Sequence, residues 1–76
     1  MKLDEALRKR LRELLNQSNI TIYQLYCASG LPKTTVYDTF SGAKKRVSVE
    51  TICELCSTLN ISLKDFFDSP LFDELD

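Results

Sequence analysis

The chain has 76 residues, enough for one domain near the lower size limit of a self-supporting core and too few for a separate catalytic domain with a deep pocket. Its net charge of −1 conceals an asymmetry, because residues 1–46 carry nine basic and four acidic side chains whereas residues 47–76 carry one and seven. Surface charges are screened within ~8 Å at physiological ionic strength, so the acidic average does not exclude a nucleic-acid partner for the basic half. The alternative is that both ends are merely solvated faces.

The first predicted helix begins near Leu3 and stops near Asn19. Its leucines recur every three or four residues, which is typical of one buried helix face. Asp4 and Glu5 lie in its first turn, where the helix dipole favours acidic side chains. Residues 1–12 contain no apolar run after their charges, so we expect neither a secretion signal nor a membrane span.

Two shorter helices are predicted next. In the motif TIYQ, Thr21 can cap a helix and Gln24 can reach back to it, which predicts a helix from Thr21 to Ser29 that ends at the following glycine. Pro32 suits a first helical position because its missing N–H would be unpaired there anyway. This predicts a third helix from Pro32 to Ser41, again followed by glycine.

Two further helices are predicted in the second half of the chain. Ser48 can cap the fourth helix, Asn60 can stop it, and Ser62 can cap a short fifth helix, SLKDFF. The fourth helix has apolar residues at the spacing of one buried face: Ile52, Leu55, Cys56 and Leu59.

The tail SPLFDELD is acidic and apolar, and Ser69 and Pro70 can start a last helical turn there. No segment keeps the two-residue alternation of a strand, although ITIY alone is compatible with one. We therefore predict an all-α fold, a compact five-helix bundle over residues 1–68, followed by the tail at residues 69–76.

Nothing in the sequence predicts an enzyme or a bound cofactor. The chain has no histidine, which removes the commonest general acid–base and the usual partner of a nucleophilic serine or cysteine. It also has no glycine-rich loop of the kind that holds phosphates. We expect no catalytic residues.

The three cysteines are an odd number in a chain without an export signal, which favours reduced thiols in a cytoplasm. Cys53 and Cys56 form a CxxC motif, but a structural zinc site needs four ligands and Cys27 is the only further candidate. Because cysteine also behaves as a small buried hydrophobe, we expect core thiols and no metal site. Zinc or redox chemistry is the alternative.

Residues 20–46 hold the most informative pattern. A short turn containing Gly30 joins two helices, which is the geometry of a helix-turn-helix. In the second of these helices Val36 and Phe40 can face inward, which leaves a polar side free beside the basic loop AKKR. Such a helix can address base edges with its N-terminal residues while lysines hold the DNA backbone.

These residues resemble the Cro/repressor-type, XRE-like, helix-turn-helix domain family from about Leu14 to Phe67. The matching stretches are TIYQL, SGLPKTTVY with the SG that follows, and SVETICELCSTLNISLKDFF. The resemblance implies a lambda-repressor-like bundle in which the second and third helices form the helix-turn-helix. It also implies that the third helix, from Pro32 to Ser41, enters the major groove of double-stranded DNA.

Residue roles follow from the resemblance by position, and the chemistry of the side chains agrees with them. Lys33 can donate to guanine, Asp38 can accept from cytosine, and a threonine methyl can contact a thymine methyl. The implied base-reading residues are Lys33, Thr34, Thr35, Tyr37 and Asp38. The implied backbone contacts are Thr21, Ile22, Tyr23, Ser41, Lys44, Lys45 and Arg46. We leave open whether four basic residues of the first helix face solvent or DNA: Arg8, Lys9, Arg10 and Arg12.

Several positions depart from the family pattern. Ile22 stands where relatives often have glutamine, and Tyr26 stands where they have a small residue, so it must find space or turn outward. Many relatives pair an arginine late in the first helix with a glutamate late in the third, where this chain has Leu15 and Phe40. We predict that a packing contact replaces that ion pair.

We predict a sequence-specific, DNA-binding transcriptional regulator of bacterial or phage type, expected to be a repressor, cytoplasmic and homodimeric on two-fold-symmetric DNA. We expect no membrane and no small-molecule partner. The alternative is a protein–protein interaction module on the same fold, such as an antitoxin or anti-repressor, which the acidic and aromatic C-terminal end favours. The candidate dimer surface is Phe66, Phe67, Leu71, Phe72 and Leu75. The alternative for these five residues is a place in the core of their own chain or as a lid over it.

Overall fold

The computed structural model describes residues 1–43 and 46–76. Within these residues all regular secondary structure is helical, and there is no strand. Five α-helices, numbered in chain order, precede a final 3₁₀ turn that spans Pro70–Glu74. The helices are α1 (Leu3–Ser18), α2 (Ile22–Ser29), α3 (Lys33–Ser41), α4 (Val49–Thr58) and α5 (Leu63–Phe67).

The helix starts confirm the predicted capping residues. The Thr21 hydroxyl accepts from the Gln24 N–H, and the Gln24 side chain accepts from the Thr21 N–H, so the capping box is complete. The Ser48 and Ser62 hydroxyls cap α4 and α5 by accepting from the Thr51 and Asp65 N–H groups. Pro32 lies at the N-cap of α3, so this helix begins at Lys33, one residue after the predicted start.

The helix ends are closed by residues in the left-handed conformation. Asn19 has φ of 57° after α1, and Gly30 and Gly42 have φ of 75° and 86° after α2 and α3. Asn60, with φ of 60°, lies one residue beyond the cap of α4. Asparagine and glycine are the residues that adopt this conformation most readily, which explains why the sequence placed these stops correctly.

The core lies where α1, α2, α3 and α4 meet, with α5 closing one end. Leu15 and Phe40, the residues predicted to replace the family's ion pair, are both buried in one hydrophobic cluster. The other members are Leu7, Leu11, Leu14, Leu25, Val36, Ile52, Leu55, Cys56 and Phe66.

The cysteines do not all follow the prediction of core thiols. Cys56 is buried in the core, whereas Cys27 and Cys53 are exposed. Cys53 lies on the outer side of α4, so the CxxC spacing does not bring both thiols to the buried face. In the described part of the chain, no three metal-ligating side chains of the His, Cys, Asp or Glu type come together.

The arginines of α1 have structural roles that the sequence did not predict. Arg10 donates from Nε to the Phe66 carbonyl oxygen at 2.7 Å and from Nη2 to the Asp65 carbonyl oxygen at 2.8 Å. Arg12 donates to the Phe40 carbonyl oxygen at 3.0 Å. Each guanidinium thereby satisfies carbonyl groups in the last turn of another helix, where a cation also stabilises the helix dipole.

Candidate nucleic-acid interface

The helix α3 has distinct inner and outer sides. Val36, Thr39 and Phe40 are buried, and the Thr39 hydroxyl is satisfied because it donates to the Thr35 carbonyl oxygen at 2.7 Å. Lys33, Thr34 and Asp38 are exposed on the outer side. Thr35 and Tyr37 are half-buried between the two sides. Three of the five residues predicted to read bases are therefore exposed, and the other two are half-buried.

A short turn held by side-chain hydrogen bonds joins α2 to α3. The Ser29 hydroxyl donates to the Tyr26 carbonyl oxygen at 3.0 Å and accepts from the Leu31 N–H at 3.2 Å. Gly30 follows in the left-handed conformation, and no atom lies within 4 Å of the position a Cβ would take there. The glycine is thus required by its backbone angle and not by crowding.

Three tyrosines connect α2 to α3. The Tyr23 and Tyr26 ring centroids are 5.9 Å apart, and those of Tyr26 and Tyr37 are 6.3 Å apart in an edge-on arrangement. The Lys33 ammonium lies 5.6 Å from the centroid of the Tyr37 ring. Tyr26 therefore finds space in part: its side chain is half-buried, packs against the hydrophobic core and contacts the rings of Tyr23 and Tyr37.

The Tyr23 side chain is exposed at the start of α2. A side-chain hydrogen bond with Cys27, reinforced by the charge of that thiol, raises the pKa of the Tyr23 phenol. A tyrosine hydroxyl in this exposed position can donate a hydrogen bond to a ligand. In the sequence, nothing besides the four-residue spacing of Tyr23 and Cys27 indicates that these two side chains interact.

Backbone N–H groups are available at the start of α2. The capping box occupies the N–H groups of Thr21 and Gln24, but those of Ile22 and Tyr23 precede the first intrahelical bond. The Ile22 side chain packs against the core, so any contact this residue makes with a ligand involves its backbone. An N–H pair at a helix N-terminus is a suitable donor set for a phosphate.

The first turns of the helices differ in charge. Acidic side chains occupy the first turn of α1, α4 and α5, whereas the first turns of α2 and α3 contain none. Lys33 even places a cation in the first turn of α3, where the helix dipole disfavours it. The two helices joined by the Gly30 turn thus keep their positive ends free of carboxylates.

The remaining predicted backbone contacts lie after α3. Ser41 and Arg46 are exposed, and the Ser41 hydroxyl donates to the Asp38 carbonyl oxygen at 3.4 Å. Lys44 and Lys45 lie outside the described residues.

The predicted dimer surface requires one correction. Phe66 is completely buried, because its ring packs inside this chain among the core side chains and against Phe67 and Phe72. It is therefore not available to a partner. Phe67 and Leu75 are exposed, and Leu71 and Phe72 are half-buried.

A short helix pair joined by a tight glycine turn, with an outer polar side on its second helix, defines a helix-turn-helix domain. The profile of the Cro/C1-type HTH DNA-binding domain matches residues 10–70, and the chain belongs to this family. Within residues 1–43 and 46–76, no helix is long and apolar enough to cross a membrane.

A solved structure is similar to this chain over almost its full length. The crystal structure of the prophage Lp1 protein 11 is 41% identical in sequence and superposes with a TM-score of 0.84. The match covers 99% of this chain and all of the prophage protein. No curated protein matches the chain significantly.

Proposed function

We propose that this chain is a sequence-specific transcriptional regulator, acting as a repressor, that places α3 in the major groove of double-stranded DNA. The observation that carries the proposal is the exposed row of Lys33, Thr34 and Asp38 at the front of α3. Side chains of these types form hydrogen bonds with base edges. Their helix is held from behind by the buried Val36 and Phe40.

The unfavourable position of Lys33, in the first turn of α3, supports a ligand on the outer side of this helix. A lysine in the first turn of a helix destabilises it slightly, by about 0.3–1 kcal/mol. Its ammonium is partly compensated by the face of Tyr37. A guanine O6/N7 edge or a phosphate would supply the negative partner that the fold itself does not provide there.

The proposed backbone contacts flank this row. The N–H groups of Ile22 and Tyr23, with the Tyr23 hydroxyl, hold one phosphate at the start of α2. Ser41 and the cluster Lys44, Lys45 and Arg46 hold phosphates beyond the end of α3. Contacts on both sides of the helix fix its register in the groove, and they do not read sequence themselves.

We also propose that the protein works as a homodimer in the cytoplasm, with no catalytic activity of its own. A single domain of this size reads few base pairs, and two copies double the reading length on symmetric DNA. The exposed Phe67 and Leu75, with the half-buried Leu71 and Phe72, are the surface proposed for pairing. Their acidic neighbours keep this end of the molecule away from DNA phosphates.

Selection of bound duplexes from a random DNA library tests the function most directly. We expect a two-fold-symmetric site whose half-sites are separated by about one helical turn, ~34–36 Å. Affinity for mixed-sequence duplex should fall steeply with added salt, and Lys45→Ala should weaken binding to every sequence alike. The control Lys64→Ala removes a cation from α5 and should leave binding unchanged.

Failure to bind any duplex at low salt would overturn the DNA-binding proposal. The chain would then be better described as a protein–protein interaction module on the same fold, such as an antitoxin or anti-repressor. The acidic, partly apolar C-terminal end is the feature that favours this second function.

A further inference from the structure

The basic residues of α1 divide into two groups with different surroundings. Arg10 is committed to α5 and to Glu13, because Nε, Nη1 and Nη2 all donate within the chain. Arg8 and Arg12 lie one turn apart and contact the other side of the bundle, at the end of α3. Lys2 and Lys9 are exposed beside them.

The contacts of Arg8 and Arg12 fix where this second group lies. Arg12 Nη2 donates to the Phe40 carbonyl oxygen at 3.0 Å, and its Cζ lies 5.6 Å from the centroid of the Phe40 ring. The Arg8 guanidinium carbon is 3.4 Å from the position that a Cβ on Gly42 would take. Both guanidinium groups therefore adjoin the last turn of α3 and the start of the basic loop that follows it.

This surface of α1 is open and carries a positive excess. It forms a shallow depression of about 520 Å³ lined by four basic and two acidic side chains. One of the acids, Asp4, already accepts a hydrogen bond from Arg8 at 2.9 Å. We call this surface the α1 basic face, and its residues are Lys2, Asp4, Glu5, Arg8, Lys9 and Arg12.

We propose that the α1 basic face binds the DNA sugar–phosphate backbone beside the half-site that α3 reads. The inference rests on the proposed function, because it extends the phosphate contacts of the loop after α3 onto a neighbouring helix. Two observations favour DNA as the occupant. The face carries charge opposite to that of phosphate, and it is continuous with the C-terminal turn of α3 through Arg8 and Arg12.

The arrangement of Arg12 suits a phosphate contact. One N–H is held by the Phe40 carbonyl, which orients the guanidinium plane, and the side chain as a whole remains exposed. Its other N–H groups can donate to a phosphate without breaking that bond. The same cation offsets the negative end of the α3 dipole, which would otherwise repel phosphates near the end of this helix.

Lys9→Gln is the first test, because Lys9 is exposed on the face and its loss leaves the contacts of Arg8 and Arg12 in place. Each phosphate contact contributes ~0.9 to the slope of log affinity against log salt, which corresponds to about a fivefold loss of affinity near 0.15 M salt. We expect this loss for selected and mixed-sequence duplexes alike. Lys2→Gln combined with Lys9→Gln should lower the slope by roughly 2.

Lys64→Gln is the matched control, since it removes the same charge from an exposed position on α5. Thermal unfolding of all variants checks that the fold is unchanged. If wild type binds DNA but Lys9→Gln and the double variant keep the affinity and salt slope of Lys64→Gln, the α1 contact is excluded and the α3 interface stands. If wild type itself does not bind DNA, both proposals fail together.

Discussion

The Nε of Arg10 in α1 donates to the main-chain carbonyl of Phe66 in α5, at 2.7 Å and across 56 positions of sequence. The same guanidinium reaches the Asp65 carbonyl and the Glu13 carboxylate. The short helix α5 spans only Leu63–Phe67, and Arg10 adds to the bonds at its end, where the Asp65 carbonyl also accepts from the Asp68 N–H at 3.3 Å. Arg10 is thus a link between the two ends of the domain.

Arg10→Gln should destabilise the protein. It removes two charge-assisted hydrogen bonds to carbonyl oxygens, of which the one to Phe66 is partly buried, and we expect a loss of ~2 kcal/mol in the free energy of unfolding. Urea denaturation measures it. Lys9→Gln, a neutralisation at the next, exposed position, should stay within about 0.5 kcal/mol of wild type. Equal midpoints for the two variants would contradict the link.

Phe72→Ala should also lower stability, although Phe72 lies in the tail. Its ring centroid is 6.0 Å from that of Phe66 and 4.9 Å from that of Phe67, so the alanine would uncover a fully buried ring. Because Phe72 is only half-buried, we expect ~2 kcal/mol, less than the 3–5 kcal/mol of a core phenylalanine. The comparison is Val49→Ala, at an apolar position on α4 that is 66% exposed and lies outside the proposed pairing surface. A tail that unfolds independently would make the two variants indistinguishable.

Lys33→Ala should relax sequence specificity at one position of the half-site. A side chain that contacts a base edge contributes about 1–3 kcal/mol of discrimination, whereas one that contacts only phosphate weakens all sequences alike. Competition between a selected operator and its single-base variants separates these outcomes. Lys45→Ala, the proposed phosphate contact, serves as the reference. A uniform loss for Lys33→Ala would remove this residue from the base-reading set.

The three thiols should differ in reactivity. Burial, with a smaller contribution from Cys53, raises the pKa of the Cys56 thiol to about 11, while Cys27 and Cys53 are exposed. Because the thiolate is the reactive form, a thiol reagent at pH ~8 should modify two cysteines of the folded protein quickly and the third only on unfolding. Mass spectrometry of the labelled peptides identifies them. Rapid labelling of Cys56 in the folded protein would contradict the packing described.

The same pKa shift implies a pH dependence of stability. The folded state binds the Cys56 proton more tightly than the unfolded state, whose thiol has the ordinary pKa of 9.0. The contribution of this group to stability is therefore complete below that pH and is lost as the pH rises towards about 11. Cys56→Ala should flatten the decline relative to wild type in urea midpoints across this range. If the urea midpoints of wild type and Cys56→Ala decline in parallel with pH, the prediction is wrong.

Features encoded by neighbouring residues were predictable from the sequence. The Thr21–Gln24 capping box, the Ser48 and Ser62 caps and the left-handed Asn19 each depend on residues within one helical turn. Only a few residue types form these local hydrogen bonds readily, so the sequence alone predicts where the helices begin and end. The helix-turn-helix followed from their order.

Features that depend on contacts between helices were not predictable in this way. A basic residue such as Arg12 or Arg10 has the same local signature whether it faces water or a distant carbonyl group. Phe66 was assigned to a candidate dimer surface because an apolar residue in a short helix does not reveal which side is covered. Exposed Cys27 and Cys53 were expected in the core for the corresponding reason, since cysteine is tolerated on either side.

The two sides of α3 can change independently in evolution. Val36, Thr39 and Phe40 carry the packing, and substitutions there would disturb the whole bundle. The outer residues Lys33, Thr34 and Asp38 are exposed, and the ends of the helix are set by Pro32 and Gly42. Homologues can therefore retain this scaffold and acquire new operators by exchanging a few outer side chains. A designer could retarget the protein by the same route at little cost to folding.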